Sequence, residues 1–434
     1  KFSVESINMS DREFAIVVFG ASGFTGQYVV REVAKNCKGK FKWAVAGRSK
    51  DKLEKVLEET ASELGYDTKD VRVIIADVSD ETTLNAMCSS ANIILNCVGP
   101  YRFFGEQVVK AAVENGCHHL DVSGEPEYLE RMQFKYHDDA VSKGIHVVGT
   151  CGFDSIPVDM GVVFAQDKFP GELCHIESFL QVHTGPKGGG GHFGTYQSAI
   201  HGVASERGGN LKKLRAQLFS KPMPKFGPKL PRRRFISYSP EVQKWCIPFM
   251  GADPSVVRRT QRHNVEVRNK KPVQYGAYTA VSSLFLILAI MFFGFFFLLL
   301  CQFKKGRQLL EKYPKFFTAG FFSHEGPTRE QMAESSFSFI FHGAGFSEAA
   351  VQSGDLPAKP DGQIVTKVTG PEAGYIATPI CIVQAAMVIL EETLPNSGGV
   401  LTPAAAFAGT SLIDRLDEHG VKFSVVRCEI DSSM

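Results

Sequence analysis

Residues 14–26 read FAIVVFGASGFTG. An apolar run rich in β-branched residues enters three glycines, Gly20, Gly23 and Gly26, and residues 27–35 then follow a helical pattern. The order is strand, tight turn, helix. In such a unit Gly20 allows the turn, Gly23 lets a pyrophosphate approach the backbone, and Gly26 lets the helix pack closely on the strand. Ser22, Phe24 and Thr25 share this loop and are placed at the cofactor, because the first N–H groups of the helix face the phosphates. A glycine triplet also serves any tight strand-to-helix turn. The neighbouring sequence therefore decides the reading.

Residues 41–46 (FKWAVA) read as a second strand ending in Gly47-Arg48-Ser49, with Lys52 one helical turn on. An NAD-specific fold places Asp or Glu here, on the ribose 2′-OH. This chain has Arg48, which can fork onto a 2′-phosphate with Ser49 and Lys52 as further donors, so NADP(H) is the expected cofactor. A solvated helix start is the plainer use of Arg48 and Lys52. Residues 71–76 make a third strand, and Asp77 and Val78 follow it where adenine lies, although Asp77 also suits a helix cap. Residues 93–98 make a fourth strand. Cys97, Val98, Gly99, Pro100 and Tyr101 leave it toward the nicotinamide ribose. Strands at 118–122 and 145–149 alternate with helices, which predicts right-handed crossovers and a Rossmann-type, doubly wound parallel sheet over 12–150. A second α+β domain fills 151–434.

At 434 residues, 44% hydrophobic and 22% charged, the chain is long enough for two or three domains with a sizeable core. Its ten cysteines are scattered without a CxxC pair, which fits a reducing compartment and no structural zinc. No signal-peptide pattern opens the chain, so secretion is not expected. Met9 reads as an initiator and residues 1–8 as an extension. In CGFDSIP (151–157), Asp154 and Ser155 border the cleft between domains, yet with Asp159 they also suit the start of the next helix. Cys151 reads by default as a buried thiol. The glycine-rich 185–194 lacks the P-loop form and reads as a lid or a long hairpin turn.

Seven motifs carry a family resemblance: GASGFTG (20–26), AGRS (46–49), NCVGPY (96–101), DVSGE (121–125), GFDSIP (152–157), GPEAGY (370–375) and GGVLTP (398–403). In this order, over nearly the whole chain, they resemble the saccharopine dehydrogenase family, and within it the saccharopine dehydrogenase-like oxidoreductase branch. The resemblance implies a Rossmann domain followed by a substrate and dimerisation domain, hence a homodimer, with the last segment packing back on the first domain. It also implies an association with lipid droplets and kinship with enoyl reductases of lipid biosynthesis. A saccharopine-type substrate needs several fixed cations for its carboxylates, and the sequence displays no such set.

From 212 to 271 the composition shifts to 16 Lys and Arg against three acids, a balance of +13 in a chain of net +2. One face is thus expected to be strongly positive. Residues 272–303 then contain no charge, and 284–300 read LFLILAIMFFGFFFLLL. A basic tract beside an aliphatic one favours an anionic membrane or lipid droplet surface over nucleic acid, since no aromatics interleave the basic residues. A buried core helix is the plainer alternative. A span would separate GPEAGY and GGVLTP from the domain they join, so a hairpin broken near Gly294, or a helix lying in one leaflet, is expected. The leading functional expectation is an NADP(H)-dependent oxidoreductase at a lipid surface acting on a hydrophobic carbonyl or enoyl substrate. Tyr101 is the best-placed candidate proton donor or oxyanion partner, with Ser123, Glu125 and Asp154 behind it. A non-enzymatic NADP-binding scaffold and an amino-acid dehydrogenase are the alternatives, and no metal is expected.

Overall fold

The computed structural model describes residues 12–65, 67–206 and 209–431; Met9 and residues 1–8 lie outside them. The first domain runs β1 (Phe14–Phe19), α1 (Phe24–Cys37), β2 (Trp43–Gly47), α2 (Lys50–Leu64), β3 (Arg72–Ile75), α3 (Glu81–Ser90), β4 (Ala91–Asn96), α4 (Tyr101–Glu114), β5 (His118–Asp121), α5 (Pro126–Ser142) and β6 (His146–Val148). All pairings are parallel, in the order β6-β5-β4-β1-β2-β3. β1 shows why its sequence is an unbroken apolar run. Ile16 and Val18 pack on the face that holds Val29, Val33 and Leu53, whereas Val17 and Phe19 face Leu84, Met87 and Val108 on the other. A strand covered on both sides cannot alternate with polar residues.

The second domain follows α6 (Ile156–Lys168). Its elements are β7 (Gly171–His183), β8 (Gly191–His192), α7 (Phe193–Glu206), α8 (Asn210–Leu218), β9 (Ser237–Ser239), β10 (Lys244–Pro248), α9 (Asp253–Glu266) and β11 (Gln274–Val281). Then come α10 (Leu284–Cys301), α11 (Lys304–Lys312), α12 (Pro314–Phe317), β12 (Phe322–Ser323), α13 (Arg329–Glu334), β13 (Ser336–Ser347), α14 (Glu348–Ser353) and β14 (Gly362–Pro371). The large sheet has the order β16-β14-β13-β7-β11-β10-β9, where β16 is the last strand, Lys422–Ile430. α6 joins the two sheets. Its Val158 and Val162 share one core with Ile176, Phe337, Phe339 and Phe341, and a Cβ on Gly161 would lie 2.4 Å from the Phe341 ring. Only a glycine lets that helix reach the sheet.

The chain finally returns to the first domain. A π-turn (Ala373–Ala377) leads into α15 (Thr378–Glu391), and β15 (Gly399–Leu401) pairs parallel with β6 as a seventh strand, before α16 (Pro403–Phe407) and α17 (Leu412–Glu418). GGVLTP thus builds part of the cofactor domain's sheet as well as packing on it.

Among the described residues two helical stretches are apolar and long enough to cross a membrane, and burial separates them: Ala373–Glu391 is 78% inside the fold, α10 only 11%. α10 corrects the expected hairpin. It runs unbroken through Gly294, because nothing lies within 4 Å of that glycine's missing side chain and no neighbour interrupts the ladder. Both ends are held: Ile287 is fully buried near β11, and Cys301 packs with Tyr196 and Ile200 of α7 and Leu310 of α11. Between them the outer surface is hydrocarbon, with Phe295 62% exposed.

Candidate cofactor site and interdomain cleft

The turn after β1 has the geometry a dinucleotide needs. Gly20 sits at φ +81°, where a side chain is strained, and its Cβ would meet Val98 at 2.8 Å. A Cβ on Gly26 would lie 2.1 Å from the Gly20 carbonyl oxygen, which fixes α1 against the turn. Gly23 is exposed and caps α1 with no side-chain bond, so the helix presents bare N–H groups. Ser22 and Thr25 are partly exposed beside it. Phe24 points elsewhere: its ring stacks on His192 at 4.6 Å and meets Tyr375 edge-on at 4.7 Å, bridging to the second domain. These residues fit a pyrophosphate.

At the end of β2, Arg48 and Lys52 are exposed and Ser49 makes no cap bond, leaving all three as open donors. Asp77 is beside Arg48, and its carboxylate accepts from the Ser79 amide and hydroxyl, which hold it below the usual range. The cap of α3 is Asp80, which accepts from Thr82 and Thr83, so Asp77 is not the capping residue. Val78 is partly exposed next to it.

At the end of β4 the Asn96 side chain accepts from the Val98 amide and lies 3.3 Å from His119, fixing the path of Cys97, Val98 and Gly99. The Gly99–Pro100 bond is cis. Tyr101 is a correction. It is buried, its hydroxyl donates to the Asn96 carbonyl at 2.8 Å, and its ring packs on Tyr128, so it lies behind the strand ends rather than in the cleft. Pro100 opens α4 directly, and the helical backbone turns that side chain inward. Glu125 likewise acts structurally: it accepts from the Tyr101 amide, Ser198 and Arg102, and Arg102 reaches on to His201 and Ser205 of α7. Ser123 is fully buried and accepts from the Glu125 amide. Asp121 accepts from the Ser123 and Thr150 amides and the Tyr128 hydroxyl, and burial raises its carboxyl to about 6.

Beyond β6, Ser155 precedes α6 without capping it, and Asp159 bonds Thr260 and the Ala404 amide. Neither is a helix cap. Cys151 is a fully buried thiol. Asp154 is exposed to a cleft of about 300 Å³ between the domains, and desolvation by the protein walls around it raises its carboxyl above the ordinary range. Thr25, Val122 and Phe153 line the first-domain side; Gly189–Gly191, Phe321, Phe322, Met332, Tyr375 and Thr378 line the other. The lining includes the carboxyls of Asp154 and Glu372 and no Lys or Arg.

Sequence reasoning missed the far wall. Glu372 accepts from the Gly374 and Tyr375 amides, Thr378 accepts from the Phe153 amide, and the Tyr375 hydroxyl accepts from the His192 amide. GPEAGY carried a motif signal for the first pair. Nothing local marked Phe321 and Phe322. Among the described residues no group of three His, Cys, Asp or Glu is placed to hold a metal.

Comparison with known proteins adds three findings. Residues 16–148 match the family model of the saccharopine dehydrogenase NADP binding domain. A human saccharopine dehydrogenase-like oxidoreductase is 50% identical over 96% of this chain and 98% of its own, and a Caenorhabditis elegans lipid droplet localized protein is 38% identical over 95% and 98%. The solved apo saccharopine dehydrogenase (L-Glu forming) of Saccharomyces cerevisiae shares the fold, with a TM-score of 0.53 at 12% identity over 95% of this chain and all of that one.

Proposed function

Because the chain belongs to the saccharopine dehydrogenase-like oxidoreductases and carries that family's NADP-binding domain, we propose that it is an NADP(H)-dependent oxidoreductase working at a lipid surface on a hydrophobic carbonyl or enoyl substrate. The observation that carries this reading is the largely apolar cleft at the carboxyl ends of β5 and β6, which holds the Asp154 carboxyl and no cation. A dicarboxylate amino acid would find no charge partner there. Bound NADP(H) supplies the hydride chemistry. The residues of this chain do the rest. The 20–26 turn and the start of α1 hold the pyrophosphate, while Arg48, Ser49 and Lys52 take the 2′-phosphate. Phe153 and Val122 exclude water. Asp154, which faces the cleft and whose carboxyl is raised by desolvation among the cleft walls, delivers a proton to a reduced product.

The lipid surface is met by α10. Held at both ends, it lies in the plane of one leaflet as an interfacial helix, in keeping with the lipid droplet name of the worm relative. Tyr238 and Trp245 pair beside its start, where Trp245 neighbours Val281, and Phe303, Lys304 and Lys305 follow its end, as interfacial anchors would. β16 leaves an exposed edge on the large sheet, suited to a homodimer contact. The scaffold alternative draws support from Tyr101, whose withdrawal leaves Asp154 to act as donor. Following NADPH oxidation against enoyl-lipid, long-chain ketone and amino-acid panels separates the readings. Turnover on a lipid panel is expected; tight NADPH binding with silence on every panel would make the protein a scaffold.

A further inference from the structure

We infer that the cleft is loaded sideways from the lipid phase through an aromatic doorway made by Phe321 and Phe322, and that its occupant is a single long apolar chain whose reactive end leads toward Asp154. The inference rests on the lipid-surface reading above and adds a path, a gate and a substrate shape. Phe321 belongs to two surfaces at once: it lines the cleft and is 46% exposed outside. Its ring meets that of Phe322 edge-on at 5.0 Å. The Phe322 ring stacks on Tyr196 at 5.3 Å, and Tyr196 meets Phe297 of α10 at 5.6 Å, so one aromatic column runs from the exposed helix to the cleft wall. Tyr196 is nearly fully buried at this junction, and its hydroxyl has no hydrogen-bond partner.

The segment before the doorway has the composition of a membrane lip. Tyr313 and Phe316 are exposed, Phe316 by 77%, and the exposed cations Lys312 and Lys315 flank them. Ala319 and Gly320 both take positive φ, +48° and +85°, a turn closed by the Phe322 amide donating to the Thr318 hydroxyl. That turn carries Phe321 to the mouth. The opposite jamb is the glycine-rich loop. A Cβ on Gly191 would lie 2.4 Å from the Phe322 ring, and one on Gly189 would lie 3.4 Å from that of Phe321. The missing side chain of Gly191 makes room for the Phe322 ring, while that of Gly189 makes room for Thr184, which also lines the cleft. β8 and β12 pair in parallel and tie this jamb to the doorway, and His192 carries the connection to Phe24 at the head of the cofactor helix.

Met332 and Phe153 line the cleft with the doorway, and Asp154 supplies its carboxyl. A substrate entering from the lipid would put its carbonyl or alkene there and trail its tail back past Phe321 into the leaflet, so the cleft volume does not limit tail length. The test uses the full chain, phosphatidylcholine vesicles containing phosphatidylserine, and hexadecanal carrying a mid-chain diazirine. After photolysis, labelled peptides are expected to include Phe321, Phe322 and Met332. Phe321→Glu, which places a charge in the apolar mouth, is expected to reduce label at Met332 by about tenfold, with flotation and NADPH binding unchanged, while Phe321→Leu retains it. Equal labelling at Met332 in Phe321→Glu and the wild type, in protein that still floats, overturns the doorway and leaves the lipid-surface reading standing. Wild-type protein that does not float overturns both.

Discussion

On the proposed reading Arg48 and Asp154 stand at the two ends of the cofactor's path, and each can be tested alone. Arg48 is exposed at the tip of β2. Arg48→Ala removes a charge-assisted partner of the 2′-phosphate, so NADPH affinity should fall at least about tenfold with NADH little changed, measured by quenching titrations with both cofactors. Equal loss for both would remove Arg48 as the discriminator. The sequence ranks Tyr101 ahead of Asp154, whereas in the structure the Tyr101 hydroxyl points to the Asn96 carbonyl and Asp154 lines the cleft. Tyr101→Phe deletes the hydroxyl's bond to the Asn96 carbonyl and the longer one it accepts from the Val122 amide, and should lower stability by about 1 to 2 kcal/mol while leaving turnover intact. Asp154→Asn should do the reverse. The sign of its pH dependence follows from desolvation by the cleft walls: a raised carboxyl is protonated at low pH, so reductive turnover falls as pH rises through that pKa, and Asp154→Asn removes this limb. An unchanged pH profile in the variant would assign proton delivery to water.

At the scale of elements, the basic tract resolves into cations of different kinds. Arg233 is mostly buried, forks onto Glu177 at 2.9 and 2.7 Å, reaches Glu241 at 3.2 Å and lies over the Phe179 ring. Arg215 is bound to Glu130 in the same way. Arg232 and Arg234 are exposed. Local charge counting could not see this, because the acids that neutralise the tract come from β7 and α5, far away in sequence. Arg233→Ala should therefore lower stability by about 2 to 4 kcal/mol, since it strands Glu177, whereas Arg232→Ala with Arg234→Ala should leave melting unchanged and weaken vesicle binding in a salt-sensitive way. Denaturation curves and flotation at two salt concentrations read the two effects apart. The contrast also explains what the sequence made legible. The β1 turn, Arg48 and the alternation of strands and helices are encoded by residues within a few positions of one another. Tyr101's inward packing on Tyr128 depends on a neighbour that only the fold supplies, whereas the choice of Asp80 over Asp77 as the cap is local and turns on backbone geometry that residue type alone does not fix.

At the scale of the whole molecule, connectivity restricts how α10 can meet a bilayer. An 18-residue helix is about 27 Å long, close to the thickness of the hydrocarbon core, so length alone permits a span. The two ends do not. β11 enters α10 from the large sheet, and Cys301 returns to α7, whose His201 and Ser205 are bonded to Arg102 of the first domain. Downstream of α10, β15 completes the sheet of the cofactor domain beside β6. A span would put the seventh strand across the membrane from the other six, and the buried partners of Cys301 would be lost. On the lipid-surface reading proposed above, the helix would enter one leaflet without crossing it, with everything before and after it on one side. Tags placed before Asp11 and after Met434 should both be digested by protease added to intact vesicles carrying the protein. Deleting residues 284–300 should abolish flotation, and bridging the gap with a short glycine-serine linker should preserve NADPH binding. Shielding of the C-terminal tag alone would require β15 to leave the sheet, and the single-sided arrangement would then be wrong.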